Sequence, residues 1–180
     1  LRKYSGGGEV TTIEFRAPWS RTVRIATVLS LLILALPLLV GIFALPAPSL
    51  WAALLLIGGP LLIAAETFAG RVQGYTLTED SMTVRRGLWN TRFALDGLRS
   101  ITGDVDAMRG SIRVFGNAGL FSITGRFWNR KLGWYRAFAT DPSRAVVLRY
   151  AKRTIVITPH DPQHFIMRAR TFLKVADFPK

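Results

Sequence analysis

The stretch IATVLSLLILALPLLVGIFALPAPSLWAALLLIGGPLLIAA, residues 25–65, contains no Asp, Glu, Lys, Arg or His. A bilayer core is crossed by roughly 20 apolar residues rising about 1.5 Å each in a helix. Ile25–Ala65 therefore has the length of two spans, and Leu45-Pro46-Ala47-Pro48-Ser49 marks a turn near its middle. A secretory signal has a shorter apolar run and a small-residue cleavage pattern after it. Here a second apolar run follows the first directly. A soluble helix that packs on one face keeps a polar stripe on the other, and neither Ile25–Leu45 nor Leu50–Ala65 carries a charged one. The reading is a membrane-spanning helical hairpin.

The flanks set its expected orientation. Arg16, Arg21 and Arg24 precede the first span, Arg71 follows the second, and the connecting turn has no charge. The positive-inside rule puts both ends in the cytoplasm and the turn outside. Trp19 and Trp51 are placed at the two interfaces, and Ser20 is placed to cap the first helix. Pro37 and Pro60 each remove a backbone donor, so a kink is expected in each span, the second around Gly58-Gly59-Pro60. Glu66 lies a few residues from Arg71, close enough to the interface to reach water or a basic partner.

The chain divides accordingly into an N-terminal cytoplasmic segment (1–20), a transmembrane hairpin (21–70) and a domain (71–180). The first segment contains Ser5-Gly6-Gly7-Gly8, a flexible spacer by composition, and a short strand is expected at Thr11–Phe15. The 180 residues carry a net charge of +13 and no cysteine, which excludes disulfides, thiolate metal sites and a cysteine nucleophile.

From Arg71 the period becomes two. Tyr75 and Leu77, then Met82 and Val84, then Phe93 and Leu95 alternate with polar residues, with turns at Glu79-Asp80 and Gly87–Asn90. Further strands are expected at Ser111–Phe115, Leu120–Ile123, Tyr135–Ala139, Ala145–Tyr150 and Thr154–Thr158, with a turn at Asp141-Pro142-Ser143. About seven antiparallel strands in this length read as a small barrel or sandwich. Asp161 as N-cap and Pro162 at the first helical position open an amphipathic C-terminal capping helix, roughly Pro162 to Lys174, with Phe165, Ile166, Ala169, Phe172 and Leu173 inward.

Several patterns resemble the bacterial membrane proteins that carry a pleckstrin-homology-like (PH-like) domain behind two transmembrane helices. They are Phe15-Arg16-Ala17-Pro18-Trp19-Ser20; Tyr75-Thr76-Leu77-Thr78 leading to Val84-Arg85-Arg86-Gly87; Leu95-Asp96-Gly97-Leu98-Arg99-Ser100-Ile101; Phe115-Gly116-Asn117-Ala118-Gly119-Leu120-Phe121; and Ile157-Thr158-Pro159-His160-Asp161-Pro162-Gln163-His164-Phe165. The resemblance spans about Phe15 to Leu173. It implies a PH-like fold attached to a bacterial inner membrane with both termini cytoplasmic, and it implies no particular activity.

The densest polar-aromatic run is Arg126 to Arg136, in which Arg126, Trp128, Arg130, Lys131, Trp134 and Arg136 are the candidate contact residues. Three readings compete: anionic inner-leaflet headgroups, which attract each nearby cation by about 1 kcal/mol; nucleic acid, with rings stacking on bases; and a solvated face over a packed core, with charges paired to Asp104 and Asp106. Residues 71–180 hold 19 Lys and Arg against 8 Asp and Glu. For a tethered domain the membrane is the nearest anion, so nucleic acid is not the expected partner. PH domains that bind inositol phosphates use a basic first hairpin, whereas Thr78-Glu79-Asp80-Ser81 is acidic.

Catalysis and metal binding find little footing. Gly116, Gly119 and Gly125 lack a following Gly-Lys-Ser/Thr and read as turn or bulge positions. His160 and His164 straddle the Asp161 cap and should diverge. Asp104 and Asp106 have no His, Cys or further acid near them, and Ser122 and Ser143 have no evident base. No cofactor is expected. The sequence is read as a non-enzymatic membrane-anchored interaction module docking a protein partner, anionic lipid, or both. The alternative is an accessory subunit of a membrane transporter or envelope enzyme.

Overall fold

The computed structural model describes residues 12–44 and 49–173, so the Ser5–Gly8 spacer, the Leu45–Pro48 part of the turn and Lys174 lie outside the described residues. Strand β1 (Ile13–Arg16) comes first, followed by helix α1 (Arg21–Leu39), capped by Ser20, whose hydroxyl accepts the Val23 N–H at 3.1 Å. Pro37 lies inside α1, and the helix continues as a widened π-type turn, Val40–Ala44. The second apolar helix is built from α2 (Leu50–Ala53), a π-type turn at Leu54–Gly58 and α3 (Gly59–Ala69). Its irregular turn directly precedes Pro60, which has no N–H for the i−4 carbonyl, so the hydrogen-bond ladder re-forms with a wider pitch.

Arg21–Phe43 and Leu50–Ala69 have mean hydropathies of 2.7 and 1.8, yet only 11% and 6% of their apolar windows are buried within the protein. Helices of a soluble core would be covered. Side chains as bare as Ile33 (71% exposed) and Leu55 (75%) are compatible with insertion into a bilayer.

The domain comprises β2 (Val72–Leu77), β3 (Ser81–Arg86), β4 (Asn90–Ala94), β5 (Leu98–Gly103), β6 (Ile112–Ala118), β7 (Ile123–Asn129), β8 (Gly133–Ala139), β9 (Val146–Tyr150), β10 (Thr154–Ile157) and helix α4 (Pro162–Phe172). The strands form two sheets, β1-β2-β3-β4 and β5-β9-β10-β8-β7-β6. The expected mainly-β domain with a C-terminal helix is present, while the expected count of about seven strands, their wholly antiparallel pairing and a closed barrel are corrected. The described residues hold ten strands in open sheets of four and six, not a closed barrel, and β8 runs parallel to β10. β5 escaped notice because a bulge between Leu98 and Ser100 breaks its alternation and only Ile101 is buried. Leu120–Ser122, expected as a strand, is instead the turn leading into β7.

The two sheets enclose one core. Tyr75, Leu77, Met82, Val84 and Phe93 from the smaller sheet meet Ile101, Phe138, Val146, Leu148, Ile155 and Ile157 from the larger, and Phe165, Ile166 and Ala169 of α4 pack against both. Asp161 caps α4 by accepting the His164 N–H at 3.0 Å, with Pro162 in the first turn, as the sequence predicts. A second cluster lies on the reverse face of the larger sheet: Phe127, Tyr135, Ala137, Val147 and Val156 are covered by Ala107 of the β5–β6 connection. β9 and β10 are thus buried on both faces, which explains their nearly continuous apolar sequences.

A buried polar knot ties the sheets together. The Tyr75 hydroxyl on β2 donates to the Phe138 carbonyl on β8 at 2.6 Å and accepts the Thr158 N–H at 3.1 Å. Thr158 Oγ1 in turn accepts the Thr140 N–H at 2.9 Å. Burial pushes the Tyr75 hydroxyl up to about 12, because the charged phenolate has no water there.

β1 precedes the first apolar helix and β2 follows the second, yet the two are antiparallel partners, with Phe15 opposite Tyr75. Phe15 reaches the main core, edge-on to Phe165 at 5.0 Å between ring centres. Residues 13–16 are therefore part of the domain although two apolar helices separate them from it in sequence.

Candidate anion-binding groove

The domain is fastened to the ends of both apolar helices. At the end of α3, the turn after β3 supplies the missing donors: Leu88 N–H bonds the Ala69 carbonyl at 3.0 Å, Gly87 N–H the Arg71 carbonyl at 3.1 Å, and Arg86 Nε the Gly70 carbonyl at 2.9 Å. A helix leaves its last carbonyls unpaired and its C-terminus partly negative, so backbone donors and a guanidinium are well matched there. The approach is close. A Cβ on Gly87 would stand 2.4 Å from the Ala69 oxygen, so only glycine fits.

At the start of α1, the tip of the β6–β7 hairpin does the fastening. Thr27 Oγ1 accepts the Phe121 N–H at 2.9 Å and lies within donating distance of the Val23 and Gly119 carbonyls, at 2.7 and 3.0 Å. The Ser20 N–H donates to Thr140 at 3.0 Å. The Phe121 ring sits between Trp19, 6.1 Å away, and Phe68 of α3, 5.5 Å away. Phe121 has a φ of 65°, a left-handed conformation costly to a residue with a Cβ and sustained by these contacts.

Between these two fastenings opens a groove of about 940 Å³, lined among others by Arg86, Phe115, Arg126, Trp134, Arg136 and Phe138. It exists because β6, β7 and β8 carry the larger sheet onward from its packed core. Arg126 is opposite Arg136, and Trp128 opposite Trp134, on one face of β7–β8. Phe127 and Tyr135, one residue along, point to the buried reverse face. The Gly116–Gly125 pair across β6–β7 lets the strands approach where no side chain fits: a Cβ on either residue would come within 2.3 Å of a carbonyl oxygen, and both have positive φ. Gly119 lies in the β6–β7 turn, as expected, whereas the register shift of β6 falls between Arg113 and Phe115 and not at Gly116 or Gly125.

The groove's electrostatics are one-sided. The ion pairs among the described residues are Arg85–Glu14, Arg109–Asp106, Lys131–Asp104 and Arg144–Asp141, and none involves Arg86, Arg126 or Arg136. Burial, and then the charge of Arg136, hold Arg86 below the usual arginine value. Burial, and then Arg126 and Arg153, do the same to Arg136. Guanidinium groups remain protonated through such shifts. They therefore form a standing positive field, softened by cation–π contacts of Arg86 with Trp89 at 4.8 Å and of Arg136 with Phe138 at 4.9 Å.

The structure divides the six residues singled out from the sequence. Arg126, Trp134 and Arg136 line the groove. Trp128 is half-buried beside them as the cross-strand partner of Trp134. Arg130 is exposed in the β7–β8 turn, outside the groove. Lys131 is paired to Asp104 at 2.6 Å, as the solvated-face reading expects for that residue. Sequence reasoning missed Arg86, Phe115 and Asn117, which reach the groove from β3 and β6. Arg86 stood out only as part of Val84-Arg85-Arg86-Gly87, and nothing in one dimension links it to Arg136. His160 and His164 serve different neighbours: the His160 N–H donates to the Arg16 carbonyl, and the His164 ring packs 5.5 Å from Phe15. Among the described residues no cluster of three His, Cys, Asp or Glu side chains is arranged to hold a metal ion.

Comparison with known families places residues 73–171 within the model of the bacterial PH domain. No curated protein and no solved structure matches the chain.

Proposed function

The chain belongs to the bacterial PH domain family, and on that premise we propose that it is a non-enzymatic, membrane-anchored interaction module that reads the anionic inner leaflet. PH-like domains are typically non-catalytic platforms for protein or lipid contact. In this reading the two spans cross a bacterial inner membrane, both termini face the cytoplasm, and the domain rests on the headgroups. The observation that carries it is the double fastening at Ala69–Arg71 and Thr27, with a groove whose arginines make no ion pair among the described residues, one of them, Arg86, bonded to the end of α3. Trp19, Phe68, Phe121 and Trp89 form an aromatic collar at that level, where amphipathic rings favour the interface. Each nearby cation gains about 1 kcal/mol from an anionic surface, and the gain is screened by salt.

Two measurements test it. Membranes containing the full chain are washed with alkaline carbonate, and the protein should remain in the pellet; release into the wash removes the anchor. The detergent-purified chain should then carry more anionic than zwitterionic lipid, in a ratio that falls with salt during extraction. A ratio equal to that of the bulk membrane would defeat the lipid reading.

A second reading, docking of a protein partner, draws on β6. It is an edge strand of the larger sheet, and Ile112, Val114 and Phe115 are exposed along it, so an added strand would find both free backbone and apolar surface. Such a partner would make the chain an accessory subunit of a larger membrane assembly, and it would co-purify at fixed stoichiometry in mild detergent.

A further inference from the structure

We infer that the groove bounded by Arg86, Arg126 and Arg136 is a discrete site for a single phosphate group, recognised by converging guanidinium groups, and not simply part of a diffuse basic surface. The inference rests on the membrane-facing reading above and narrows it to one place and one chemistry.

Five observations converge. Three arginines from three different strands, β3, β7 and β8, line one concavity, and none pairs with a carboxylate among the described residues. Folding brings these like charges together at a cost, which a bound anion would offset. Arg86 is oriented before any ligand arrives, by its bond to the Gly70 carbonyl and by stacking on Trp89. The Gly116–Gly125 pair leaves bare backbone along part of the wall, where a bulky polar group can come close. The rim carries Phe115, 77% exposed, and Trp134, 63% exposed, apolar surfaces that suit a headgroup attached to acyl chains. Arginine presents a planar fork of donors that matches phosphate oxygens two at a time and is less strongly hydrated than lysine. Arg86 in the lining bonds the C-cap residue of α3, so one wall of the groove adjoins a helix end, the level at which the proposed reading puts a phosphodiester headgroup.

Phosphate could reach this site on a phospholipid or as a soluble ester, and the experiment separates the two. The full chain is reconstituted in phosphatidylcholine nanodiscs with or without phosphatidylglycerol, extracted gently, and weighed by native mass spectrometry to count lipids retained per chain. One phosphatidylglycerol should persist on the wild type. Arg126→Gln and Arg136→Gln should each weaken retention about tenfold, the effect of losing one charge-assisted hydrogen bond. Arg130→Gln, which removes the same charge outside the groove, should leave it unchanged. Arg136→Lys, which keeps the charge and loses the fork, should also weaken it. In parallel, glycerol phosphate is titrated into the chain in neutral nanodiscs. Saturable binding that Arg136→Gln abolishes supports the site with a soluble source, whereas retention of lipid without such binding supports it with a lipid source. Equal losses for Arg126→Gln, Arg130→Gln and Arg136→Gln would overturn the site and leave general surface attraction standing. Absence of both lipid enrichment and phosphate binding in the wild type would overturn the site and the lipid reading together. Thermal unfolding of each variant confirms that the fold is intact, as expected for exposed side chains that make no ion pair.

Discussion

Arg126 and Arg136 are register partners across β7 and β8, and neither meets a carboxylate among the described residues. Like charges placed opposite each other in a ladder oppose sheet pairing. Replacing Arg126 by Gln should therefore leave stability unchanged or raise it by a few tenths of a kcal/mol, the small size reflecting solvent screening. Thermal unfolding of the detergent-solubilised chain at low and high salt checks this, and the gain should vanish at high salt. A clear loss of stability at low salt would mean that Arg126 has a structural task.

The Thr27 fastening should be separable from the fold of the domain. Thr27→Val keeps the shape but leaves the Phe121 N–H without its acceptor, at a cost of about 1–3 kcal/mol. Gly87→Ala drives a Cβ into the Ala69 carbonyl at the other fastening. Each variant should loosen the domain from the spans while its sheets survive. Spin labels on α1 and β8 should report a broadened distance distribution with an unchanged circular dichroism spectrum. An unaltered distribution in both variants would show that other contacts hold the domain in place.

Tyr75 sets an alkaline limit. Its hydroxyl is neutral in the fold up to about pH 12, against an ordinary value of 10.0. Below pH 10 both folded and unfolded chains keep the proton and its full contribution to stability is present. Above it the unfolded chain loses the proton first, so stability should fall by about 1.4 kcal/mol per pH unit until the folded value is reached. Tyr75→Phe should lower stability near neutrality by about 1–3 kcal/mol, because the Phe138 carbonyl and Thr158 N–H lose their partner. It should also show a shallower alkaline decline. Denaturant titrations across the pH range measure both slopes.

A fragment beginning at Arg71 should be unstable. It lacks β1, which covers the edge of β2 and places the buried Phe15 in the core. Loss of that one side chain alone removes about 1.5–3 kcal/mol of apolar burial. Appending residues 12–18, as a fusion or as a peptide in trans, should raise the melting temperature. An equal melting temperature with and without the segment would show β1 to be dispensable.

The sequence revealed what short periods record. An uncharged run long enough for two spans, alternation in β2, β3 and β4, and the Asp161–Pro162 helix start are local signals, and each has its counterpart in the structure. It concealed what depends on distant pairing. β5 and β7 carry bulges, a glycine or exposed charges in place of clean alternation. β1 joins the smaller sheet across two intervening helices, and Thr11–Phe15 alone names no partner. The Arg126–Arg136 run was visible as composition, but its division into groove residues, an exposed Arg130 and a paired Lys131 depends on strand facing and on Asp104 from another loop. Arg86 completes the groove only in three dimensions.

The ladder between Ile13–Arg16 and Val72–Leu77 also bears on how the polypeptide is made. The ribosome delivers one half of that ladder before the hydrophobic hairpin and the other half after it. On the proposed membrane reading, a nascent molecule that threaded only one of the two helices would leave the halves on opposite faces of the bilayer, each with an unpaired β edge. In that reading, the hydrogen bonds that complete the sheet can form only when both helices have been threaded.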